Sequence, residues 1–293
     1  MSLHIDLHVH TKTGSDGKLS VQEVLREAKN REIDLLSITD HDSIEAQTTA
    51  IALARDYGIA YVTGVELNVT FLYENKASSL DFLGYNFDPG NEQMRDKLKG
   101  MANHRITRAR LIMERLNTEF AQEGIEPLTE ADMEKIQESV DGTFGRPHIA
   151  NYLIAKGIVT DRQQAFDKYL VKCDVPKYPL SLHEAAQLVR EAGGFLSLAH
   201  PNDPNGTSLA VLAQDLEEQT TIVQQTMLGY IDGLECWHPR HDAQTIQYYV
   251  EFARNHGLMA TGGSDCHQDP VIMGSLDIPS WVAEQFITER RTA

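Results

Sequence analysis

Five short apolar runs of this chain each end in a histidine or an acid, and nothing else in the sequence restricts its fold as strongly. The first is Ile5-Asp6-Leu7-His8-Val9-His10, followed at once by Ser15-Asp16-Gly17. The others end at Thr39-Asp40-His41-Asp42, Gly64-Val65-Glu66, Ala199-His200-Pro201 and Ser264-Asp265-Cys266-His267. In an extended strand alternate side chains share a face, so His8 and His10 project together while Ile5, Leu7 and Val9 point the other way. One His-x-His pair is weak evidence for a metal. Recurrence at five strand ends is far stronger, because imidazoles and carboxylates are suitable ligands for Zn, Fe or Mn.

The intervening pattern predicts how those ends meet. Ser20-Val21-Gln22-Glu23 has the form of a capping box, and Val21, Val24, Leu25 and Ala28 follow at helical spacing. A strand over 34–39 leads to a helix over 44–57, stopped by Gly58 in a position suited to a left-handed cap. A strand over 59–69 carries Glu66, and another over 80–87 ends at the turn Asp88-Pro89-Gly90. Strands alternating with helices in this order predict a parallel sheet with covering helices. In (β/α) barrels the reactive groups gather at the C-terminal ends of the strands.

From Asn91 the character changes to helix without a convincing strand. Leu111, Met113, Leu116 and Phe120 mark one long helix, Thr129-Glu130-Ala131-Asp132 starts another, and the run Ile149–Ile154 marks a third that ends near Gly157. Alternation resumes at Ser181-Leu182-His183-Glu184, a second capping box, and continues with strands over 195–199, 231–237 and 258–263 and a helix over 243–256. The expectation is a body over 1–90 and 175–293 carrying the site, with a helical insertion over 91–174 shaping the substrate pocket.

The chain has 293 residues and a formal net charge of −17. That balance argues against a broad basic surface for gripping long duplex nucleic acid. An anionic substrate stays open, since bound divalent cations invert the local field. No run approaches the ~18 apolar residues needed to cross a bilayer, and there is no charged-then-apolar leader, so the expectation is a mature, cytoplasmic protein without membrane contact. Cys173, Cys236 and Cys266 share no short spacing that would suit a disulfide framework or a thiolate zinc site.

His8-x-His10 with Asp16, Thr39-Asp40-His41-Asp42, Gly64-Val65-Glu66, Ala199-His200-Pro201 and Asp265-x-His267 resemble the ordered motifs of the PHP phosphoesterases, the polymerase and histidinol phosphatase family. With its length and helical insertion the chain is similar to the stand-alone bacterial branch. Members of that branch remove the 3′-phosphate from 3′,5′-bisphosphonucleotides, and some trim RNA from its 5′ end. The resemblance implies an α/β fold, a distorted seven-stranded (β/α) TIM-like barrel, with two to three divalent ions (Mn, Fe or Zn). His8, His10, Glu66 and Asp265 would hold the first. Glu66 would bridge to a second, also bound by His200, and Asp16, His41 and His267 would hold the third. The related branch places a histidine in a His-x-x-Gly segment on the strand after Glu66. Here Leu80-Asp81-Phe82-Leu83-Gly84 puts Asp81 there, a carboxylate able to take its place as a ligand.

The resulting expectation is metal-dependent phosphomonoester hydrolysis, with a hydroxide bridging the first two ions and His8, His10, Glu66, His200 and Asp265 carrying the catalysis. The substrate would be a small phosphorylated molecule, a 3′,5′-bisphosphonucleotide first of all. Arg146 opens a helix at Gly145-Arg146-Pro147-His148, where a helix N-terminus favours anions, and family position makes it the leading phosphate ligand, with His148 beside it. Arg105 and Arg108 share a helix face and can clamp a second phosphate, although a solvated basic face accounts for them equally well. His238, in Trp237-His238-Pro239-Arg240-His241, is a further substrate contact, while Trp237 itself reads as ordinary packing. Asp40 and Asp42 are expected to orient the backbone around His41 rather than ligate. Cys266 faces the core on strand alternation, and His183 and His256 fall on surface positions of helices. The alternatives are a 5′-to-3′ exoribonuclease on short RNA, a phosphatase for a small molecule such as histidinol phosphate, and a non-catalytic nucleotide-binding module associated with a polymerase.

Overall fold

The computed structural model describes residues 3–138, 145–176, 178–204 and 206–288. The chain divides into two compact units, residues 1–98 with 180–293, and residues 99–179.

In the first unit, strand β1 (Ile5–Val9), helix α1 (Val21–Asn30), strand β2 (Leu35–Ile38), helix α2 (Gln47–Tyr57) and strand β3 (Ala60–Tyr61) alternate, and the strands pair parallel in the order β1-β2-β3. The Ser20–Glu23 capping box is present, and Val21, Val24, Leu25 and Ala28 are the buried face of α1. Gly58 takes φ 69° and closes α2. Val9, Leu36, Ile38, Ala50 and Cys266 share one apolar cluster with that helical layer, so Cys266 is a packing residue.

The next strands depart from the parallel expectation. Strand β4 (Gly64–Tyr73) turns directly into β5 (Lys76–Tyr85), and the two pair antiparallel along their whole length. The connection is Glu74-Asn75, with φ 48° and 64°. Two successive left-handed residues make the tight turn whose twist matches a hairpin. Two polar residues without glycine gave this turn no clear signature in the sequence.

Helix α3 (Glu92–Glu123) opens the segment that the second unit contains, followed by α4 (Glu130–Glu138), α5 (Arg146–Ala155) and α6 (Arg162–Ala165), which runs on through a wider turn over Phe166–Leu170. Ile112, Leu116, Phe120, Met133, Ile149, Leu153 and Tyr169 form this unit's own core.

The first unit then resumes with helix α7 (Leu182–Glu191), capped by Ser181 and Glu184, and strand β6 (Phe195–Leu198), antiparallel to β5. Helix α8 (Leu216–Thr226), strand β7 (Gly233–Trp237), helix α9 (Ala243–Asn255), strand β8 (Met259–Gly262) and helix α10 (Trp281–Thr288) complete it, with β6, β7 and β8 parallel. Trp237 is buried edge-on against Trp281. His183 is exposed, and half-buried His256 stacks on Phe252 at the end of α9.

The seven-stranded barrel is not what forms. The strands make two sheets, one of three strands and one of five in the order β4-β5-β6-β7-β8, and neither closes. Where closure would require continuous ladders there are single bridges, Val9 to Cys266 and His41 to Glu66. Asp42 and Asp265 have φ 47° and 50° at those points, turning the backbone out of the extended conformation that a ladder needs. Among the described residues no helix is long and apolar enough to cross a membrane.

Candidate metal centre

The first unit brings together His8 and His10 at the end of β1, Asp265 and His267 beyond β8, and Glu66, which sits at the third position of β4 rather than at a strand end and lies at the centre. Its Oε2 lies 3.4 Å from His8 Nε2, 3.3 Å from His10 Nε2 and 2.9 Å from His41 Nδ1, and its Oε1 lies 3.0 Å from His200 Nε2. Asp265 Oδ1 is 3.3 Å from His8 Nε2 and 3.1 Å from His10 Nε2. Asp16 Oδ1 is 3.0 Å from His267 Nε2 and 3.9 Å from His41 Nε2. Three overlapping groups have ligand atoms close enough to share an ion: His8, His10 and Glu66; His41, Glu66 and Asp81; and His10, Asp16, His41 and His267. His8, His10 and Glu66 are buried, while Asp16, His41 and His267 are partly open.

Polar neighbours fix the direction of each imidazole. His8 Nδ1 lies 3.0 Å from Glu235 Oε1, and the other oxygen of Glu235 accepts the backbone N–H of His200 at 2.7 Å. His10 Nδ1 lies 3.0 Å from Ser15 Oγ, whose hydroxyl donates to Asp16. His267 Nδ1 lies 2.9 Å from the carbonyl of Asp265. Each contact suits a proton on Nδ1 and turns Nε2 into the cluster, the arrangement that a ligating histidine needs. Asp40 accepts both the N–H and the hydroxyl of Thr11, and Asp42 accepts the N–H of Asn68, so these acids orient backbone around the site. His200 has φ 25°, so two residues of the cluster, His200 and Asp265, sit in a left-handed conformation that surrounding bonds must sustain.

The electrostatics are those of a dense, mutually neutralising array. Burial pushes the Glu66 carboxyl up, but His41 and His8 outweigh it and hold it well below the usual range. Asp265 is likewise held down, chiefly by His8. Burial opposes charge on His41 and His200, yet Glu66 raises them to about 10 and about 9. Burial, with His267 adding to it, lowers His10 to about 4. Burial raises Asp81 to about 6, with Glu66 adding to it, and Asp40 to about 7.

Four buried ligand atoms test whether these residues fit metal ions. His8 Nε2, His10 Nε2, Glu66 Oε2 and His200 Nδ1 make no hydrogen bond among the described residues. A buried polar atom left so costs about 1–3 kcal/mol, and three of these four converge within one group of ligands. A set of imidazole nitrogens and carboxylate oxygens satisfied by a cation removes that cost, and it suits Mn, Fe or Zn. The residues fit.

Asp81 is engaged on both oxygens, by Asn68 Nδ2 at 2.6 Å and by the Thr207 hydroxyl, while remaining in the group with His41 and Glu66. His238 is buried with its Nε2 3.6 Å from Asp265 Oδ2, in the wall of the cluster. The remaining candidates belong to the second unit. Arg108 is buried, bonded to the carbonyl of Val175 and to Asp174. Arg146 reaches the second oxygen of Asp174 at 2.9 Å, and His148 Nδ1 accepts the N–H of Gly145. Burial and Arg108 lower Arg105 to about 10.

Glu235 was missed in the sequence, although an acid inside the apolar run Leu234-Glu235-Cys236-Trp237 is a signal in itself. Its carboxyl, pushed up by burial, is brought below the ordinary range by His8. Asp6 was missed for the same reason: it accepts the N–H and hydroxyl of Ser264 and the N–H of Gly274, tying β1 to the segment that carries Asp265.

A carboxylate-centred cluster of imidazoles with half-open access is a site suited to divalent cations. Residues 6–277 match the PHP domain, and the chain belongs to that family. It is 30% identical to the 3′,5′-nucleoside bisphosphate phosphatase of Chromobacterium violaceum over 90% of this chain and 87% of that protein. It is 28% identical to the 5′-3′ exoribonuclease of Haemophilus influenzae over 91% of each. A crystal structure from Bifidobacterium adolescentis, described as a metal-dependent phosphoesterase, superposes with a TM-score of 0.74 and 27% identity, covering 98% of this chain and 96% of that one. The chain is a metal-dependent phosphoesterase.

Proposed function

We propose that this phosphoesterase removes the 3′-phosphate from 3′,5′-bisphosphonucleotides. The observation that carries the reading is the similarity to the C. violaceum phosphatase along nearly all of both chains. In this reading His8, His10, Glu66 and Asp265 would hold one cation, Glu66, His200 and Asp81 a second, and Asp16, His41 and His267 a third. Bound divalent cations neutralise phosphoryl oxygens and lower the pKa of water toward neutrality.

The chain's own residues supply the rest. The two oxygens of Glu66 face different histidines, so one side chain serves adjacent ligand sets. Glu235 holds His8 and His200 in register with each other. Thr11 and Asp40 pin the end of β1, which keeps His8 and His10 at their separation through substrate binding and release. Burial of His8, His10, Glu66 and Glu235 removes competing water from the rear of the site, which strengthens every charge interaction in front of it.

The test is phosphate release by metal-loaded protein from a 3′,5′-bisphosphonucleotide, measured beside a 5′-phosphorylated RNA oligomer and histidinol phosphate. The bisphosphonucleotide should be turned over with the highest kcat/KM. Mononucleotide release from RNA at a higher kcat/KM would favour the second reading, a 5′-to-3′ exoribonuclease, for which the H. influenzae relative speaks.

A further inference from the structure

His238 differs from His8, His10 and His267 in the way its ring faces. His8, His10 and His267 each turn Nδ1 toward an acceptor, respectively the Glu235 carboxylate, the Ser15 oxygen and the Asp265 carbonyl. At His238 the polarity is reversed: the backbone N–H of Arg240 donates to Nδ1 at 3.3 Å. A backbone N–H is always a donor, so Nδ1 must hold a lone pair and the proton must sit on Nε2. His238 therefore presents Nε2 as a donor, with no lone pair to offer a metal on that side.

That N–H is buried, and Asp265 is its nearest acidic neighbour. The residue is 2% exposed, Nε2 makes no hydrogen bond among the described residues, and the nearest carboxylate oxygen, Asp265 Oδ2, is 3.6 Å away. The ring stands 5.4 Å from those of His200 and His241. His241 has both nitrogens satisfied, Nδ1 by the Cys236 carbonyl and Nε2 by the Asn202 N–H, so it does not compete for this role. The bond from Arg240 orients the ring, which faces Oδ2 of Asp265 while His8 and His10 face Oδ1.

We propose that His238 is a catalytic residue that donates a hydrogen bond from Nε2 to a phosphoryl oxygen of the substrate, and that it is not a metal ligand. A donor fixed in a dry site beside the ligand carboxylate stabilises the charge that builds on phosphoryl oxygens, without any reorganisation at the moment of reaction. No proton leaves the imidazole in this role. The inference rests on the phosphoesterase class and holds whichever phosphoester is turned over.

The experiment uses inorganic phosphate as the probe. Zinc-loaded wild type, His238→Gln and His238→Phe are titrated with phosphate by calorimetry, and the zinc content of each is measured. Glutamine can place an amide N–H near the position of Nε2, while phenylalanine keeps the ring and loses the donor. Phenylalanine should weaken phosphate binding about 10- to 100-fold and glutamine by less than about threefold, both at wild-type zinc content. Nitrogen NMR of histidine-labelled, zinc-loaded wild type should show the Nε2–H form at His238, and this reading does not depend on how either variant folds. Wild-type phosphate affinity in the phenylalanine variant, loss of a zinc ion from it, equal losses in both variants, absence of phosphate binding by wild type, or an Nδ1–H form would each overturn the proposal.

Discussion

Replacing Glu235 by glutamine should weaken metal binding about 10- to 100-fold with little change in shape. The magnitude follows from the two bonds that its carboxylate accepts, from His8 Nδ1 at 3.0 Å and from the His200 N–H at 2.7 Å. A carboxylate serves both donors at once, whereas a primary amide has one oxygen and must turn its NH2 toward the other. One charge-assisted bond is lost, worth about 1.5–3 kcal/mol, or roughly one to two powers of ten in an equilibrium constant. The consequence falls on metal because both donors belong to candidate ligands. A freed His8 populates its other tautomer, which withdraws the Nε2 lone pair, and a freed His200 relaxes from φ 25°. Competition with a chromophoric chelator measures affinity for Zn or Mn directly, and circular dichroism checks the fold. Affinity within about twofold of wild type, in a folded variant, would refute the claim that Glu235 positions the ligands.

Gly263→Ala should disturb the same cluster from the backbone. An added Cβ would stand 2.2 Å from the His8 nitrogen and 2.4 Å from its Cβ, so the strand must shift, costing about 1–3 kcal/mol in thermal unfolding together with a measurable loss of bound metal. In the insertion, Asp132 accepts bonds from Thr129, Tyr152 and Lys156 that outweigh burial and hold its pKa below the ordinary value of about 4. Its stabilisation is therefore complete above that value and lost as pH falls below it. Asp132→Asn should cost about 1–3 kcal/mol by urea denaturation at pH 7 and markedly less near pH 3.

The parts of the fold that depend on local chemistry were legible. Ser20 with Glu23 and Ser181 with Glu184 announce their helices because a side-chain cap is a sequence-local device. His8 and His10 share a face because strand alternation demands it. What could not be read was pairing. Glu74-Asn75 makes a hairpin turn without glycine, so β4 and β5 looked like members of a parallel series. The barrel expectation failed at the two places where Asp42 and Asp265 leave the extended conformation, a backbone property invisible in residue types. Glu235 and Asp6 lie inside apolar strands, where residue type alone does not reveal which distant groups a buried acid will meet.

The most direct test of the account is anomalous diffraction from crystals of the protein grown with Mn. The prediction is an anomalous peak bonded by His8 Nε2, His10 Nε2, Glu66 and Asp265. The same four side chains hydrogen-bonded to one another, with no peak among them at saturating Mn and none when Fe or Zn is substituted, would contradict it.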